Sequence, residues 1–447
     1  MPTPRCLAED AQAIWHTGVA AVRSEKLIHD AIHRNANELA ICGRKFSIDQ
    51  LRRIVVVGGG KAGAGMAAAV EEALGDDLTA AKVAGVVNVP ADCVRPLRAI
   101  RLNPARPAGV NEPTPAGVLG ASEMLHLVRG VDACDLCLVL LSGGGSALLP
   151  APVPEISLAD KLETTRFLSA SGATIGEMNA VRKKLSLIKG GGLAQAMQRG
   201  AMLALIISDV VGDPLDVIAS GPTVADSTTV AEAIDVLQRF GAAPPAVPQP
   251  VFDFLHQLTA RGGPPPIRAT VENHLIGNNA MALAAAKRKA VELGYVVQLL
   301  GSANQGEAET EGRLLARQCW KLRETGRAPI CVLSGGEPVV RLSRTDRPRK
   351  GGRNQHLVLA ACDELWSVGM EGLCLLSGGT DGEDGPTDAA GAWIDARVIA
   401  AAHAAGIAPR DDLAIHNAYH FFETAGGLFK TGPTHTNVMD LRVAVIA

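Results

Sequence analysis

Short apolar runs recur along the chain, and glycine or a polar turn follows each of them. The clearest predicted strands are RRIVVV (52–57), KVAGVVNV (82–89), CDLCLVLL (134–141) and AMLALIIS (201–208). Strongly helix-forming segments such as KAGAGMAAAVEEAL (61–74) lie between them. This alternation of strand, turn and helix predicts a parallel sheet with helices on both faces.

Proline marks a change in the pattern near the middle of the chain. The stretches GAAPPAVPQP (241–250) and RGGPPPIRAT (261–270) flank a short helical piece, and a second α/β pattern then starts at the predicted strand NHLIG. A chain of 447 residues is also too long for one ordinary core. We therefore predict two α/β domains. The large N-terminal domain, a three-layer α/β/α Rossmann-like fold, covers 7–245, a connection covers 246–268, and a smaller C-terminal domain covers 269–447.

Four apolar strands run into glycine turns: VVVGGGKAG, LVLLSGGGS, CVLSGGEP and CLLSGGTDGEDG. Ligands of parallel α/β sheets collect at the carboxyl ends of strands, where backbone N–H groups and helix N-termini face anions. We expect the four turns to line one phosphate-rich cleft. The turn residues that we predict to bind nucleotide phosphates are Gly58, Gly59, Gly60, Ser142, Gly143, Gly144, Gly145, Ser146, Ser334, Gly335, Gly336 and Glu337.

The first turn satisfies G-x-G-x-x-G, but the rest of a dinucleotide fingerprint is missing. That site needs an acidic residue at the end of the next strand to hold the ribose, and Asn88 stands there instead. The turn does not match a phosphate-binding P-loop either. Lys61 lies at a helix start, where the helix dipole disfavours a cation, so a bound phosphate or carboxylate explains it better than a solvated turn.

Further polar residues follow predicted strands or open predicted helices. Asp209 ends a buried strand, where a carboxylate holds Mg²⁺, takes a proton from a hydroxyl or caps a helix. Arg353 opens a helical run and suits a bidentate grip on phosphate or carboxylate. Asp381 and Asp388 lie in a polar loop and are candidates for metal or substrate binding.

The segment NAVRKKLSLIK places Asn179, Arg182, Ser186 and Lys189 at spacings of one helix face. We take Lys189 as a candidate for phosphate binding, and Asn179 and Arg182 as candidates for substrate binding. The alternative is an ordinary solvated helix face.

Composition excludes several classes of partner. Aromatic residues make up 3% of the chain and the formal net charge is −3, so nucleic acid and anionic membranes are poor candidates. Cys134 and Cys137 form a single CxxC inside an apolar strand, which indicates a buried strand and not a zinc site. We expect a soluble, cytoplasmic protein.

In their order along the chain, these motifs resemble the class II glycerate kinases (glycerate 2-kinases). The resemblance rests on GGGKAGAGMA, LLSGGGSALLPAP, MNAVRKKLSLIKGGGLA, ISDVVGDPLDVIASGPT, SGGEPVV, GGRNQHLVLA, LSGGTDGEDGPTDAAG and TGPTHTNVMDLRVAV. It implies a C-terminal domain of the MOFRL type, with a cleft between the two domains. The activity that it implies is the ATP- and Mg²⁺-dependent phosphorylation of D-glycerate to 2-phosphoglycerate. It also implies that Lys61, Asp209 and Arg353 are the catalytic residues, with Asp209 as the candidate metal ligand.

The chain departs from the family pattern in two places. The loop ARPAGVNEPTPAG (105–117) differs from the family stretch, and we predict that Arg106 and Asn111 tune substrate specificity there. His435 stands where the family pattern leads us to expect glycine. We expect D-glycerate as the small-molecule partner and consider a homodimer as the assembly.

Two other functions stay open from the residues. The glycine turn would serve NAD(P)H in a hydroxypyruvate reductase. The same turns would also serve a non-catalytic protein that binds a nucleotide without turning over a hydroxy acid.

Overall fold

The structure is a computed structural model, and it describes residues 6–107, 110, 112–261, 265–326, 329–342 and 346–447. The chain divides into two compact units. We call Ser24–Ile276 the large unit, and Met1–Arg23 together with Gly277–Ala447 the small unit. Among the described residues, no helix has the length and apolar character that crossing a bilayer requires.

The large unit contains most of the predicted parallel pattern. Its helices are α2 (Ser24–Ala31), α3 (Gly63–Leu74), α4 (Asp76–Lys82), α5 (Pro115–Arg129), α6 (Gly145–Leu148), α7 (Leu158–Ala170), α8 (Ile175–Lys184), α9 (Gly192–Ala196), α10 (Val230–Arg239) and α11 (Gln249–Arg261). Its strands are β1 (Ile32–Asn35), β2 (Glu38–Ile41), β3 (Arg44–Ser47), β4 (Arg53–Gly59), β5 (Val83–Pro90), β6 (Ile100–Arg106), β7 (Asp135–Leu141), β8 (Ala201–Ile207) and β9 (Thr270–Gly277).

The main sheet of the large unit has the strand order β6-β5-β4-β7-β8-β9. Its first five strands in this order, β6, β5, β4, β7 and β8, run parallel to one another. Neighbouring residues of β5 face opposite sides of this sheet. Val86 joins an apolar core with α5, whereas Val87 contacts Gly63 at the start of α3. Helices therefore cover both faces, which is why the parallel strands appear in the sequence as unbroken apolar runs. The predicted α/β class is confirmed.

The small unit has helices α1 (Leu7–Ala20), α12 (Asn279–Glu292), α13 (Ala308–Glu324), α14 (Arg353–Leu365), α15 (Ala396–Ala404), α16 (Pro409–Ala414) and α17 (Ala418–Ala425). Its strands are β10 (Val296–Leu299), β11 (Ile330–Gly336), β12 (Leu373–Gly379), β13 (Gly391–Ile394), β14 (Leu428–Phe429) and β15 (Asp440–Ile446), in the sheet order β10-β11-β15-β12-β13-β14. The C-terminal strand β15 lies between β11 and β12 and is antiparallel to both.

Alternation along β15 divides the small unit into two apolar cores. Leu441, Val443 and Val445 pack with residues of α1 and α12, while Ala444 and Ile446 pack with residues of α13 and α14. This is the two-residue period expected of a strand that is buried on both faces.

The structure differs from the predicted domain boundaries at both ends of the large domain. Helix α1, predicted to belong to the N-terminal domain, belongs to the small unit because its apolar face packs on β15 and α12. Trp15 is fully buried there, and its ring meets Phe429 edge-on at 4.8 Å between centroids. Strand β9, predicted to open the C-terminal domain, is instead the strand next to β8 in the large sheet.

The predicted connection over 246–268 includes a packed helix. Val251, Phe254 and Leu255 of α11 are buried in one core with Val236 and Leu237 of α10. The proline-rich stretches therefore lie within the large unit, and the division falls after residue 276.

We expect the substitution Trp15→Ala to lower the free energy of unfolding by about 3–5 kcal/mol, because it removes a fully buried ring from the core of the small unit. Chemical denaturation followed by fluorescence and circular dichroism would measure the loss. Trp320→Ala is the matched control, since Trp320 is 37% exposed and should cost far less. Equal costs for the two variants would contradict the assignment of α1 to this core.

Candidate active site

The first glycine turn lies where the ends of β4 and β7 approach each other closely. A Cβ atom on Gly58 would lie 2.0 Å from the carbonyl oxygen of Leu140, and one on Gly60 would lie 2.0 Å from Ser142 Oγ. Both distances are far shorter than van der Waals contact, so a side chain at either position would force the two strand ends apart.

Two hydrogen bonds join this turn to the second glycine turn. The Lys61 backbone N–H donates to the Gly143 carbonyl at 2.7 Å, and the Ala62 N–H donates to Ser142 Oγ at 3.0 Å. The Ser142 hydroxyl, which the sequence predicts as a phosphate ligand, thus accepts a hydrogen bond that links the two turns. The phosphate role of Ser142 stays a prediction.

Two cationic side chains approach the second turn. A Cβ atom on Gly144 would lie 3.5 Å from Lys61 Cγ and 3.5 Å from Arg106 Nη2. Arg106 is buried, and its guanidinium also donates to the carbonyl of Val110. Lys61 and Arg106, which lie far apart in the sequence, therefore come together at one glycine. Asn111, the other candidate of this loop, lies outside the described residues.

Ser146 lies two residues after Gly144 and accepts hydrogen bonds from two cationic residues that the sequence predicts as ligand-binding. Arg182 Nη2 donates to Ser146 Oγ, and Lys189 Nζ donates to both the Oγ and the carbonyl oxygen of Ser146, at 2.7 and 2.9 Å. The Ser220 hydroxyl accepts from Lys189 at 3.2 Å and donates to Asn179 Oδ1 at 3.1 Å. The structure thus brings Asn179, Arg182 and Lys189 to one place.

The reason for this convergence differs from the predicted one. Helix α8 ends at Lys184, so Ser186 and Lys189 do not lie on the helix face that the spacing indicated. The chain after α8 instead bends, and the Ser186 hydroxyl accepts the Lys189 N–H at 3.3 Å. The bend, and not a continuous helix, places Lys189 beside Arg182.

The end of β5, where a dinucleotide site needs a carboxylate, has a structural role. Asn88 is fully buried, and its amide donates to the carbonyls of Gly117 and Leu148 at 2.9 and 2.6 Å. Its oxygen accepts from Asn103 at 2.9 Å. This side chain holds β5, β6 and α5 together, and the geometry does not favour a nicotinamide cofactor.

Asp209 lies two residues after the last residue of β8 and is partly exposed. Asp213 and Asp216 are partly exposed as well, and Asp216 contacts Lys183 at 3.4 Å. In the part of the chain that the structure describes, no group of three His, Cys, Asp or Glu side chains forms a cage for a metal ion. Mg²⁺ usually needs just one or two protein carboxylates together with phosphate oxygens, so Asp209 fits the donor chemistry.

In the small unit, the third and fourth glycine turns flank the start of β15. Gly336 of β11 and Gly379 of β12 both pair with Asp440. Arg353, at the start of α14, donates from Nε and Nη2 to the fully buried Asp440 carboxylate at 2.8 and 3.0 Å, and from Nη1 to Glu337 at 2.8 Å. Burial by itself lowers the pKa of Arg353, but Asp440 and Glu337 raise it well above its ordinary value.

A second buried carboxylate fixes the helix that carries Arg353. Asp384 accepts from the backbone N–H groups of Asn354 and Gln355 at 2.9 and 2.8 Å, which caps the first turn of α14. Burial raises the pKa of Asp384 to about 7, although the two N–H bonds favour its charged form. Sequence reasoning did not single out Asp440 or Asp384.

The other predicted residues of the small unit have local partners. Asp381 accepts the Glu383 N–H at 3.1 Å. Asp388 lies at the surface, where hydrogen bonds from Lys430 and Tyr419 lower its pKa to about 2. His435 adopts φ of 60°, a left-handed conformation in which glycine is favoured. Substrate roles for Asp381 and Asp388 stay predictions.

Both units have glycine turns at the ends of their strands, and cationic side chains lie against the second turn of the large unit. This arrangement is typical of α/β proteins that bind anionic ligands at the edge of a sheet. Residues 10–256 match a family described as a domain of unknown function (DUF4147), and residues 330–440 match the MOFRL family. Human glycerate kinase is 39% identical, over 97% of this chain and 92% of its own. The chain belongs to the glycerate kinase family.

A solved structure agrees with this assignment in fold and sequence, and another relative has a different name. The crystal structure of glycerate kinase from Thermotoga maritima is 33% identical, with a TM-score of 0.84 over 99% of this chain and 100% of that one. A protein of Agrobacterium vitis whose name gives hydroxypyruvate reductase as a provisional function is 40% identical, over 88% of this chain and 87% of its own.

We expect Gly58→Ala to lower the free energy of unfolding by about 3 kcal/mol or more, because the new methyl group would collide with the backbone of β7. Gly172→Ala is the control: Gly172 has φ of 83° with nothing within 4 Å of an added Cβ, so about 1–2 kcal/mol of backbone strain is the whole cost. Chemical denaturation measures both. Similar losses in the two variants would contradict the close approach of β4 and β7.

Proposed function

We propose that the protein transfers the γ-phosphoryl group of ATP to the 2-hydroxyl of D-glycerate, giving 2-phosphoglycerate and ADP. The observation that carries this proposal is the meeting of Lys61 and Arg106 at the Gly144 turn, in a chain of the glycerate kinase family. The hydroxyl oxygen attacks the γ-phosphorus, the bond to the bridging oxygen of ADP breaks, and the hydroxyl proton is released.

Lys61 is our candidate for stabilising the charge of the transferred group. Phosphoryl transfer depends mainly on positioning and on neutralising charge that spreads over the phosphoryl oxygens. The Lys61 and Arg106 side chains both lie against the Gly144 turn, and Lys61 is close to the N-terminus of α3. Their charges and the backbone N–H groups of the glycine turns would therefore act on the same phosphoryl group.

Asp209 is our candidate for the residue that works at the acceptor hydroxyl or at the metal. A partly exposed carboxylate at a strand end is able to hold Mg²⁺ or to accept the hydroxyl proton. Bound Mg²⁺ would neutralise phosphate charge, as it does in other phosphotransferases.

Arg353 is our candidate for a clamp on an anionic group, either the carboxylate of glycerate or the travelling phosphoryl group. A guanidinium has five N–H donors, and the contacts with Asp440 and Glu337 use three of them. The two carboxylates fix the plane of the group, and the remaining donors keep a defined direction. Asp440 is a positioning residue in this proposal.

Incubation of the enzyme with ATP, Mg²⁺ and D-glycerate, with the product resolved by phosphorus NMR, tests the function. We expect 2-phosphoglycerate and ADP in equal amounts. Formation of 3-phosphoglycerate would reject the position of transfer. Oxidation of NADH or NADPH by hydroxypyruvate, with no phosphorylated product, would favour the reductase instead. Nucleotide binding with turnover of no hydroxy acid would favour the non-catalytic alternative.

We expect Lys61→Ala to lower kcat by about 100-fold or more, because one preorganised charge on the phosphoryl oxygens is lost. A coupled assay for ADP measures the rate, and thermal melting should show an intact fold. Lys287→Ala, which changes an exposed lysine of α12, is the control and should retain full activity. Wild-type activity in the Lys61 variant would remove this residue from the mechanism.

We expect Arg353→Lys to lower kcat/KM by about 10-fold or more, although the positive charge is retained. Lysine has no planar fork, so it cannot keep the two-point contact with Asp440 while contacting a ligand. Arg410→Lys is the matched control, because Arg410 is 83% exposed in its side chain and meets Asp363 at 3.5 Å. An unchanged kcat/KM in the Arg353 variant would mean that charge alone is needed.

A further inference from the structure

Lys161, on α7 of the large unit, is a buried cation that the sequence did not single out. The residue is 6% exposed, and its Nζ atom is buried with no hydrogen-bond partner among the described residues. Burying an ammonium group without a partner is costly, and lysine is almost never fully buried unless it is paired. Burial, and then the charge of Arg182, lower the pKa of Lys161 to about 7.

Lys161 belongs to a group of three cations, because α7 packs on α8, which carries Arg182. The third is Lys189, which is buried, whereas Arg182 is partly buried. After burial, the charges of Arg182 and Lys161 lower the pKa of Lys189. Arg182 donates hydrogen bonds to Ser146 and Asn179, and Lys189 donates to Ser146 and Ser220. All of these acceptors are neutral oxygens. None of these bonds ends on a carboxylate.

The neighbouring lysines of α8 show how this fold treats a buried cation that has a structural role. Lys184 contacts Asp226 at 2.7 Å, and Lys183 lies 3.4 Å from Asp216 and 3.5 Å from Asp226. The side chains of both lysines are less than a tenth exposed. Carboxylates are thus supplied for Lys183 and Lys184, whereas the bonds of Arg182 and Lys189 end on neutral groups.

A purely structural role explains Lys161 poorly. Arg182 and Lys189 each stabilise the turn at Ser146 through hydrogen bonds, but the Lys161 amine makes none among the described residues. A methionine or leucine would fill the same space without the desolvation of an amine. In the part of the chain that the structure describes, no hydrogen bond or ion pair gives these three cations an anionic partner, and a small ligand would supply one.

We propose that Lys161, together with Arg182 and Lys189, binds the carboxylate of the hydroxy acid substrate. The inference rests on the proposed function, because that function supplies an acceptor with one carboxylate. Lys61 and Arg106 meet the glycine turn at Gly144, and Arg182 and Lys189 meet it two residues later, at Ser146. One turn thus presents a place for the phosphoryl group and, next to it, a place for the carboxylate of the acceptor. A phosphate of the nucleotide has the same oxyanion chemistry, and the test separates the two sources.

Lys161→Met is the informative variant, because methionine keeps the length of the side chain and removes the charge. We expect the melting temperature to stay equal or to rise at neutral pH, since a desolvated ammonium group is lost. We expect KM for D-glycerate to rise about 10- to 100-fold, while KM for ATP stays within about 2-fold. Lys184→Met is the matched control: it should lower the melting temperature, because buried Asp226 loses the nearer of its two lysine partners, and it should not raise KM for glycerate.

Calorimetric titration of D-glycerate at about pH 8, in buffers of different ionisation enthalpy, adds a readout that a structural role would not move. The free enzyme holds Lys161 largely neutral there, and a bound carboxylate raises its pKa, so binding takes up a proton. Wild-type enzyme should take up more protons on binding D-glycerate than Lys161→Met does.

A lower melting temperature with unchanged KM values would overturn the inference and leave Lys161 as a structural residue. A rise in KM for ATP, with KM for glycerate unchanged, would assign the cations to a nucleotide phosphate and overturn the carboxylate assignment. Binding of glycerate that depends on Lys161, in an enzyme that does not phosphorylate it, would reject the proposed function and keep this inference.

Discussion

The candidate site in the large unit depends on the contact between the ends of β4 and β7, where no side chain fits. Because Gly58 and Gly60 lack a Cβ, the backbone after β4 comes close enough to donate from Lys61 to the Gly143 carbonyl. That bond fixes where the Lys61 side chain begins, and its Cγ then lies against Gly144. The short helix α6 starts from the same turn and presents Ser146 to two further cations. One steric constraint between two strands therefore sets the position of four charged side chains.

The sequence predicts the buried strands well because a parallel strand covered on both faces appears as an unbroken apolar run. The sequence predicts less well where the chain divides into its two compact units. Helix α1 has an apolar face that several partners could cover, and the choice depends on distant contacts, since Trp15 of α1 donates to Gly378 across 363 positions. Strand β9 follows the proline-rich stretches, and only the sheet order shows that it lies beside β8. Proline-rich composition indicates an irregular segment, but it does not say on which side of a boundary that segment packs.

The candidate residues divide in a similar way. Lys61 and Arg353 stand out because each lies at a predicted helix start, where a cation is better explained by a bound anion. Arg182 and Lys189 stand out because their spacing indicates one helix face. Asp440 and Asp384 do not stand out, since a single acidic residue at the start of a strand or within a polar loop looks like ordinary surface. Lys161 is hidden for the same reason: in LADKLETT it lies among acidic and polar residues typical of a solvated helix. The burial of these three residues depends on tertiary packing, which no local pattern records.

The two units use opposite arrangements of charge. In the small unit, the Arg353 cation already has two carboxylate partners, so its internal contacts fix it in place and hold it charged. In the large unit, Arg182 and Lys189 donate to neutral oxygens, which orient their N–H groups but leave their charge uncompensated. A compensated cation is suited to positioning, because an arriving anion changes its energy little. An uncompensated group of cations is suited to binding, because an anion removes a desolvation cost that the free protein carries. Within its own unit, each arrangement therefore has a different use: the cations near Ser146 suit the binding of an anion, and Arg353 suits a fixed orientation.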